Sequence, residues 1–220
     1  MIAGDDMLDK KRKIKDPKLT HLEEKSFVDS CKKNELEYGI FKDTLIESPL
    51  KVQEVTIDSC VFQNINFTNV LLEDVDMVDV IFENCDLSNQ HFDKKLLSRV
   101  IFKNCRLTGT TFCDASLRDI QLIKCNCRYL NLAGAKVNQM SIYECGFEES
   151  TFLETTLKEI ELESVRFEKA EFIHTPLTDI DFSTCDIYGT QFDLFSLKGM
   201  IIDSFQSQYI VGALGVKLKD

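Results

Sequence analysis

The sequence predicts an all-β fold wound as a four-sided solenoid, and three observations carry that prediction. The octet VIFENCDL at 80–87 returns as VIFKNCRL at 100–107, six letters of eight at a spacing of twenty. Every fifth residue from Val52 to Ile202 is apolar, 31 positions with no slip of phase. The composition points to one repeated core: of 220 residues 44% are apolar, with 16 Phe, no Trp, 9 Gly and 3 Pro. That is apolar enough to bury a sizeable core and too apolar for disorder.

The five-residue phase fixes the solenoid segment at 52–204. Two residues before each apolar centre lies a second regular position, mostly small or β-branched: Cys60, Ile65, Val70, Val75, Val80 and Cys85, then Val100, Cys105, Thr110, Ala115, Ile120 and Cys125. Gln90, Lys95, Phe195 and Met200 break that second rule. Two positions in five therefore point inward and three outward, which matches neither the 3.6 period of a helix nor the 2.0 period of a strand. A five-residue unit that turns the chain by about a quarter closes a coil in twenty residues. Successive coils then stack at the ~4.8 Å spacing of a parallel sheet, giving about 7.5 coils and a rod of roughly 36 Å. Columns twenty apart keep their own filling: Phe92, Phe112, Leu132, Phe152, Phe172 and Phe192 in one, Leu97, Leu117, Val137, Leu157, Leu177 and Leu197 in another.

With its central Leu or Phe and a small residue two positions earlier, the repeat resembles the pentapeptide-repeat family. That resemblance implies a right-handed quadrilateral β-helix.

The ends follow other rules. Residues 1–20 are charged, include KKRKIK and are expected to form a flexible tail. In 21–51, Leu36, Phe41 and Ile46 keep the spacing of five but sit one residue out of phase, with Pro49 at the slip. This segment is expected to be an N-terminal cap with an imperfect first coil. At 205–220 a short helix is expected, capped by Ser204 or Ser207, ended by Gly215 and striped by Phe205, Tyr209, Ile210, Ala213 and Leu214. Val216 carries the apolar content past it.

No catalytic, metal or cofactor site is expected. Six of the nine cysteines (60, 85, 105, 125, 145 and 185) fall on the small inward position and Cys127 on the central one. Thiols stacked on a line at ~4.8 Å do not make the tetrahedron zinc takes. They also stand too far apart for a disulfide. Three histidines, no CxxC, no P-loop and no GxGxxG leave no catalytic constellation, so a non-enzymatic protein is expected. An odd cysteine count and no apolar signal core at the N-terminus point to a reduced, cytoplasmic protein. No stretch approaches the ~20 apolar residues of a membrane span.

The formal charge of −11 speaks against nucleic acid or an anionic membrane as partner. It is unevenly placed: −9 over 52–93, +7 over 94–136 and −10 over 137–204. The last segment spans ~16 Å, a length over which duplex DNA carries roughly nine or ten phosphates. An outward face there displays Glu144, Glu161, Glu163, Asp181 and Asp203 with no Lys or Arg.

Length, acidity, the terminal helix and stretches such as FKNCRLTGTTF and FSLKGMIID are similar to the Qnr-type quinolone-resistance proteins of Gram-positive bacteria. Unlike the Gram-negative Qnr pattern, no loop interrupts the phase. The resemblance implies a DNA mimic that binds DNA gyrase or topoisomerase IV and protects it from quinolones, with those five carboxylates as the contact face. It also implies a homodimer through Phe205, Tyr209, Ile210, Ala213, Leu214 and Val216. An alternative is a scaffold for an unrelated protein partner, suggested by the outward apolar column Val61, Ile81 and Ile101.

Overall fold

A computed structural model describes residues 14–217. Its strands are β1 (Glu23–Glu24), β2 (Glu37–Lys42), β3 (Leu50–Gln53), β4 (Thr56–Gln63), β5 (Val70–Glu73) and β6 (Asp76–Glu83), followed by β7 (Leu96–Lys103), β8 (Ser116–Ile123), β9 (Lys136–Tyr143), β10 (Thr156–Glu163), β11 (Glu171–Phe172) and β12 (Gln191–Phe192). Two short helices, α1 (Phe27–Lys33) and α2 (Ser207–Ala213), close the ends. The chain winds as a right-handed quadrilateral β-helix of about eight turns. The main sheet is parallel, in the order β1-β2-β4-β6-β7-β8-β9-β10.

Each rung sits on the next with a register of twenty: Val80 pairs Val100 and Phe82 pairs Phe102. Of the 31 apolar centres none is exposed, and Phe62, Phe82 and Phe102 stack with centroids 4.9 and 5.2 Å apart. The corners need a backbone that the sequence reading did not anticipate. Two residues after nearly every centre, φ is positive: Asp79 (57°), Asn84 (54°), Asn89 (58°), Lys94 (62°), Arg99 (56°), Asn104 (52°) and onward. Asn and Asp tolerate this left-handed conformation best among residues with a Cβ, and Gly109 (φ 68°) takes it without cost. One corner forms the expected amide ladder: Asn104 Nδ2 donates to Asn84 Oδ1 (3.2 Å) and Asn84 Nδ2 to Asn64 Oδ1 (3.0 Å).

The small inward positions carry donors that are satisfied in one repeated way. Cys85, Cys105 and Cys125 donate their thiols to the carbonyls of Phe62, Phe82 and Phe102, each 23 residues earlier, at 3.5, 3.4 and 3.3 Å. The Thr110, Thr155 and Thr190 hydroxyls do the same to Leu87, Leu132 and Phe167 at 2.9, 2.8 and 2.7 Å. The exceptional Gln90 is buried because its amide reaches two carbonyls, those of Phe67 and Val70. Lys95 escapes the core by pairing with Asp74.

At the N-terminal end α1 plugs the coil, its Phe27 set edge-on to Phe41, Phe62 and Phe67. Phe41 lies against Phe62, 21 residues on, which accounts for the one-residue phase offset. The main sheet stops at β10, and Pro176 supplies the reason. At the equivalent position in three successive rungs a backbone N–H donates to the rung before: Ser116 to Lys95, Lys136 to Ala115 and Thr156 to Ala135, at 2.8, 2.8 and 2.9 Å. Proline has no N–H to continue that ladder. The following rungs make tight turns instead, such as Ile180 N–H to Leu177 O at 3.1 Å.

At the C-terminal end the cap of α2 differs from expectation. Its N-cap residue is Gln206, not Ser204 or Ser207. In the turn that leads into the helix, Asp203 N–H donates to Gln206 Oε1 and Gln206 N–H to Asp203 Oδ1, both at 2.8 Å, the reciprocal pairing of a capping box set one turn before the helix. The same glutamine amide seals the last rung through the carbonyls of Phe182 and Cys185. Gly215 (φ 76°) follows the helix as expected.

Truncating Phe82 to alanine is expected to cost about 3–5 kcal/mol, read from urea unfolding. Asn84→Val should cost about 1–3 kcal/mol through its left-handed corner, and Asn84→Gly distinctly less.

Candidate interaction surface

Stacking by twenty decides which charges survive on the surface. The basic stretch 94–136 is largely consumed by neighbouring rungs. Lys103 pairs with Glu83 (2.7 Å), Arg106 with Asp86 (3.6 Å), Arg99 with Asp79 (2.5 Å) and Arg128 with Glu149 (2.5 Å). The hydrogen bond from Lys103, with one from Gln63, holds the Glu83 carboxyl below its usual range. Arg166 closes on Glu148 at 2.8 Å.

This sorting corrects the expected acidic face. Glu144 stacks over Lys124 and pairs with it at 3.4 Å, so that part of the face does carry a cation. Asp203 is half-buried and spends one oxygen on the Gln206 N–H that caps α2. Glu161, Glu163 and Asp181 are exposed, and the structure adds exposed Glu159 and Asp179 beside them. Among the described residues Glu159, Glu161 and Glu163 form no ion pair. Glu161 and Asp181 share one column, and Glu163 stands in the column of Asp203. Where the sheet ends, a groove of about 440 Å³ opens between β10 and the following rung, with Leu157, Ile160 and Ile180 in its lining and Glu159, Glu161 and Asp179 among its polar residues.

A second feature went unread in the sequence. Residues 14–20, expected in a flexible tail, lie against the solenoid. Lys15 N–H donates to Asp119 Oδ1 (3.1 Å), Lys18 N–H to Asp79 Oδ1 (2.7 Å), and Gln121 Nε2 to Asp16 Oδ1 (2.8 Å). The strap thus crosses the rungs at the bend in the middle of the long strands, where Asp79 and Asp119 are only 6% and 2% exposed. Next to this track stand Val61, Ile81 and Ile101, all half-buried, in the column that Gln121 continues. The outward apolar column therefore borders a segment of its own chain. The first four residues of KKRKIK lie outside the described residues.

Burial works against the Asp79 charge. The hydrogen bonds from Arg99 and from the Lys18 N–H, with the Arg99 charge, outweigh it and hold the carboxyl below its ordinary range.

At the C-terminus α2 leaves Phe205 (78% exposed), Tyr209, Leu214 and Val216 outside, with Tyr209 edge-on to Tyr188. Ile210 is half-buried against the core, and the Ala213 side chain lies outside the described residues.

Eight of the nine cysteines are buried, and burial pushes the Cys31 and Cys60 thiols up to about 12, far from a reactive range. Among the described residues no three His, Cys, Asp or Glu side chains are grouped to hold a metal ion. No described helix is long and apolar enough to cross a membrane.

The repeat seen in the structure is also recognised by family models. A model of pentapeptide repeats in eight copies matches residues 53–89, and a model of the pentapeptide repeat region matches 75–152. Residues 53–152 are thus a pentapeptide-repeat region. No curated protein matches this sequence. Among solved structures, the chain is similar to a trypsin-treated variant of QnrB1, a plasmid-mediated fluoroquinolone resistance protein, at 16% identity, covering 82% of this chain and 99% of that one with a TM-score of 0.34. It is also similar to the pentapeptide repeat protein Rfr23 of the cyanobacterium Cyanothece 51142, at 14% identity over 70% of this chain and 91% of that one, TM-score 0.29. A third is HetL, a pentapeptide repeat protein involved in heterocyst differentiation regulation from Nostoc sp. strain PCC 7120, at 12% identity over 76% and 89%, TM-score 0.25. What they share with this chain is the repeat scaffold.

The depressed Asp79 carboxyl sets a pH dependence for the strap. Its contribution is fully present above the unfolded carboxylate range and is lost as pH falls through the lowered folded value. Protection of the Lys18 amide against hydrogen exchange should therefore persist through the ordinary carboxylate range and drop only as pH falls below it. In Asp79→Asn, whose side chain does not titrate, the step should be absent.

Proposed function

We propose that this protein is a non-enzymatic, acidic, cytoplasmic scaffold. In this reading its C-terminal rungs imitate the phosphate charge of DNA and engage a type II topoisomerase, DNA gyrase or topoisomerase IV, modulating inhibition by quinolones. One observation carries the reading: inter-rung pairing neutralises the middle of the rod, while the last strand of the main sheet presents exposed Glu161 and Glu163, with exposed Asp181 on the rung after it. Rungs ~4.8 Å apart hold those groups on a rigid parallel lattice, so they bind without first being ordered. The topoisomerase itself enters through the Qnr-type resemblance of the sequence.

The exposed apolar side chains of α2 support a two-fold pairing of two rods end to end. Phe205, Tyr209, Leu214 and Val216 are exposed at the end of the solenoid, and exposed apolar side chains of this kind suit a contact between copies. Such a dimer would place two acidic segments on one continuous surface.

Two measurements test this reading. Supercoiling by purified gyrase should fall on adding the protein, or recover from quinolone inhibition; no effect at micromolar concentration would sink it. Charge reversal at Glu161, Glu163 and Asp181 should weaken that effect more than reversal at Glu83 or Asp86. Separately, light scattering on Tyr209→Asp/Leu214→Asp should report a monomer where the parent chain is a dimer. Unfolding free energy should change by no more than about 0.5 kcal/mol, as for surface substitutions.

A further inference from the structure

The strap lies on the rod as a bound peptide lies on a receptor. Residues 14–20 precede the first strand and enter none of the sheets, and a bend at His21 (φ 57°) sets them apart from β1. Histidine is among the residues that tolerate this left-handed conformation. The rod's side chains hold the strap by two of its backbone N–H groups and one of its carboxylates. Ile14, Pro17 and Leu19 are half-buried, while Lys15, Asp16, Lys18 and Thr20 are exposed.

The track is built into the rod. A carboxylate out of contact with water has to find donors, and Asp79 and Asp119 are both buried. Arg99 serves Asp79 from within the rod, its Nε and Nη2 at 2.5 and 2.7 Å. The strap brings a further N–H to Asp79 and one to Asp119, contacts that read backbone and leave both lysine side chains outside. Pro17, which has no N–H to offer, stands between the two donors. Its ring fixes its own φ and holds Asp16 extended. The segment is thereby partly ordered before it docks, which lowers the cost of docking. Three hydrogen bonds and three half-buried side chains are a small hold for a segment that ends at a bend, and segments held so lightly open locally.

We propose that this track is a docking site for an extended peptide and that residues 14–20 are its resident, exchangeable occupant. The partner it fits is a segment of another protein with the features of 14–19: apolar at the first and sixth positions, an acceptor at the third, proline at the fourth, and N–H groups free at the second and fifth. Attachment holds the strap at an effective concentration on the order of millimolar, so a partner segment enters only by outcompeting it. Ile14 also lines the groove beside β10, with Leu157, Lys158 and Ile160. Exchange on the track therefore clears an aliphatic side chain from that groove. The assignment does not rest on a topoisomerase as the partner of the acidic rungs.

The experiment uses the full chain and a synthetic, acetylated peptide of residues 14–20. Lys15→Pro/Lys18→Pro removes both strap donors and leaves the track as it is. Against a resident strap at about 1 mM effective concentration, this variant should bind the fluorescent peptide about tenfold more tightly than the parent chain does. Lys15→Ala/Lys18→Ala keeps both N–H groups and should bind it as the parent does. A nitroxide on the same peptide should broaden the amide signals of residues 79–81 and 119–121. Equal affinities in the parent and double-proline chains, no binding to either at millimolar peptide, or broadening confined to other rungs would overturn the proposal. On the parent chain, excess unlabelled peptide should speed hydrogen exchange at the Lys15 and Lys18 amides several-fold, and unchanged exchange would count against exchangeability just as decisively. A second copy's strap has the same sequence. In the Tyr209→Asp/Leu214→Asp background, a dimer that Lys15→Pro/Lys18→Pro abolishes would put that strap on the track and overturn the assignment to the chain's own segment.

Discussion

The structure depends on one backbone requirement, a left-handed residue two positions after nearly every apolar centre. That residue turns the chain at every corner, closes a coil in twenty residues and puts residue i beneath residue i+20. Everything else follows from this register: the phenylalanine stacks, the thiols and hydroxyls that reach carbonyls 23 residues back, and the corner amide ladder. Each left-handed residue with a Cβ costs free energy. The cost is tolerated because the same turn commits the neighbouring N–H and C=O groups to the rungs above and below.

Register also explains the electrostatics. Charge blocks separated along the sequence become neighbours across rungs, so the basic belt is matched by acids on both sides of it. What the sequence shows as three segments of alternating sign is, in space, a neutralised middle and an acidic end. Pro176 sharpens the division: by ending the main sheet at β10 it opens the groove where Glu159, Glu161 and Asp179 outnumber the one cation of the lining, Lys158. A missing N–H thus helps to set where the surface is charged.

The core was legible because its signal is periodic. The five-residue phase, the Phe and Leu columns, the Asn64, Asn84 and Asn104 ladder, and the pairs of Glu83 with Lys103 and Asp86 with Arg106 all follow from counting in twenties. Two features had a signal that was passed over. Asn, Asp and Gly gather two positions after the centres from Asn64 to Asp119, and Asp203 with Gln206 spells a capping box. The strap had no periodic signal at all. Two of its three contacts use backbone N–H groups, which every residue but proline has, and all three join positions more than sixty residues apart. For the same reason Ile81 and Ile101 looked like surface without a purpose. The acidic face was only partly legible, because Glu144 and Lys124 belong to different charge blocks and meet only on stacking.

The strap changes what kind of object the rod is. A solenoid whose rungs touch only their neighbours behaves as a one-dimensional chain, able to fray or open one rung at a time from either end. A segment that holds Asp79, Asp119 and Gln121 together couples rungs that otherwise never meet. Opening one of them strains the others' contact with the same strap. Seven residues laid crosswise thereby act as a splint, lending lateral cooperativity to an architecture whose cohesion otherwise runs only from each rung to the next.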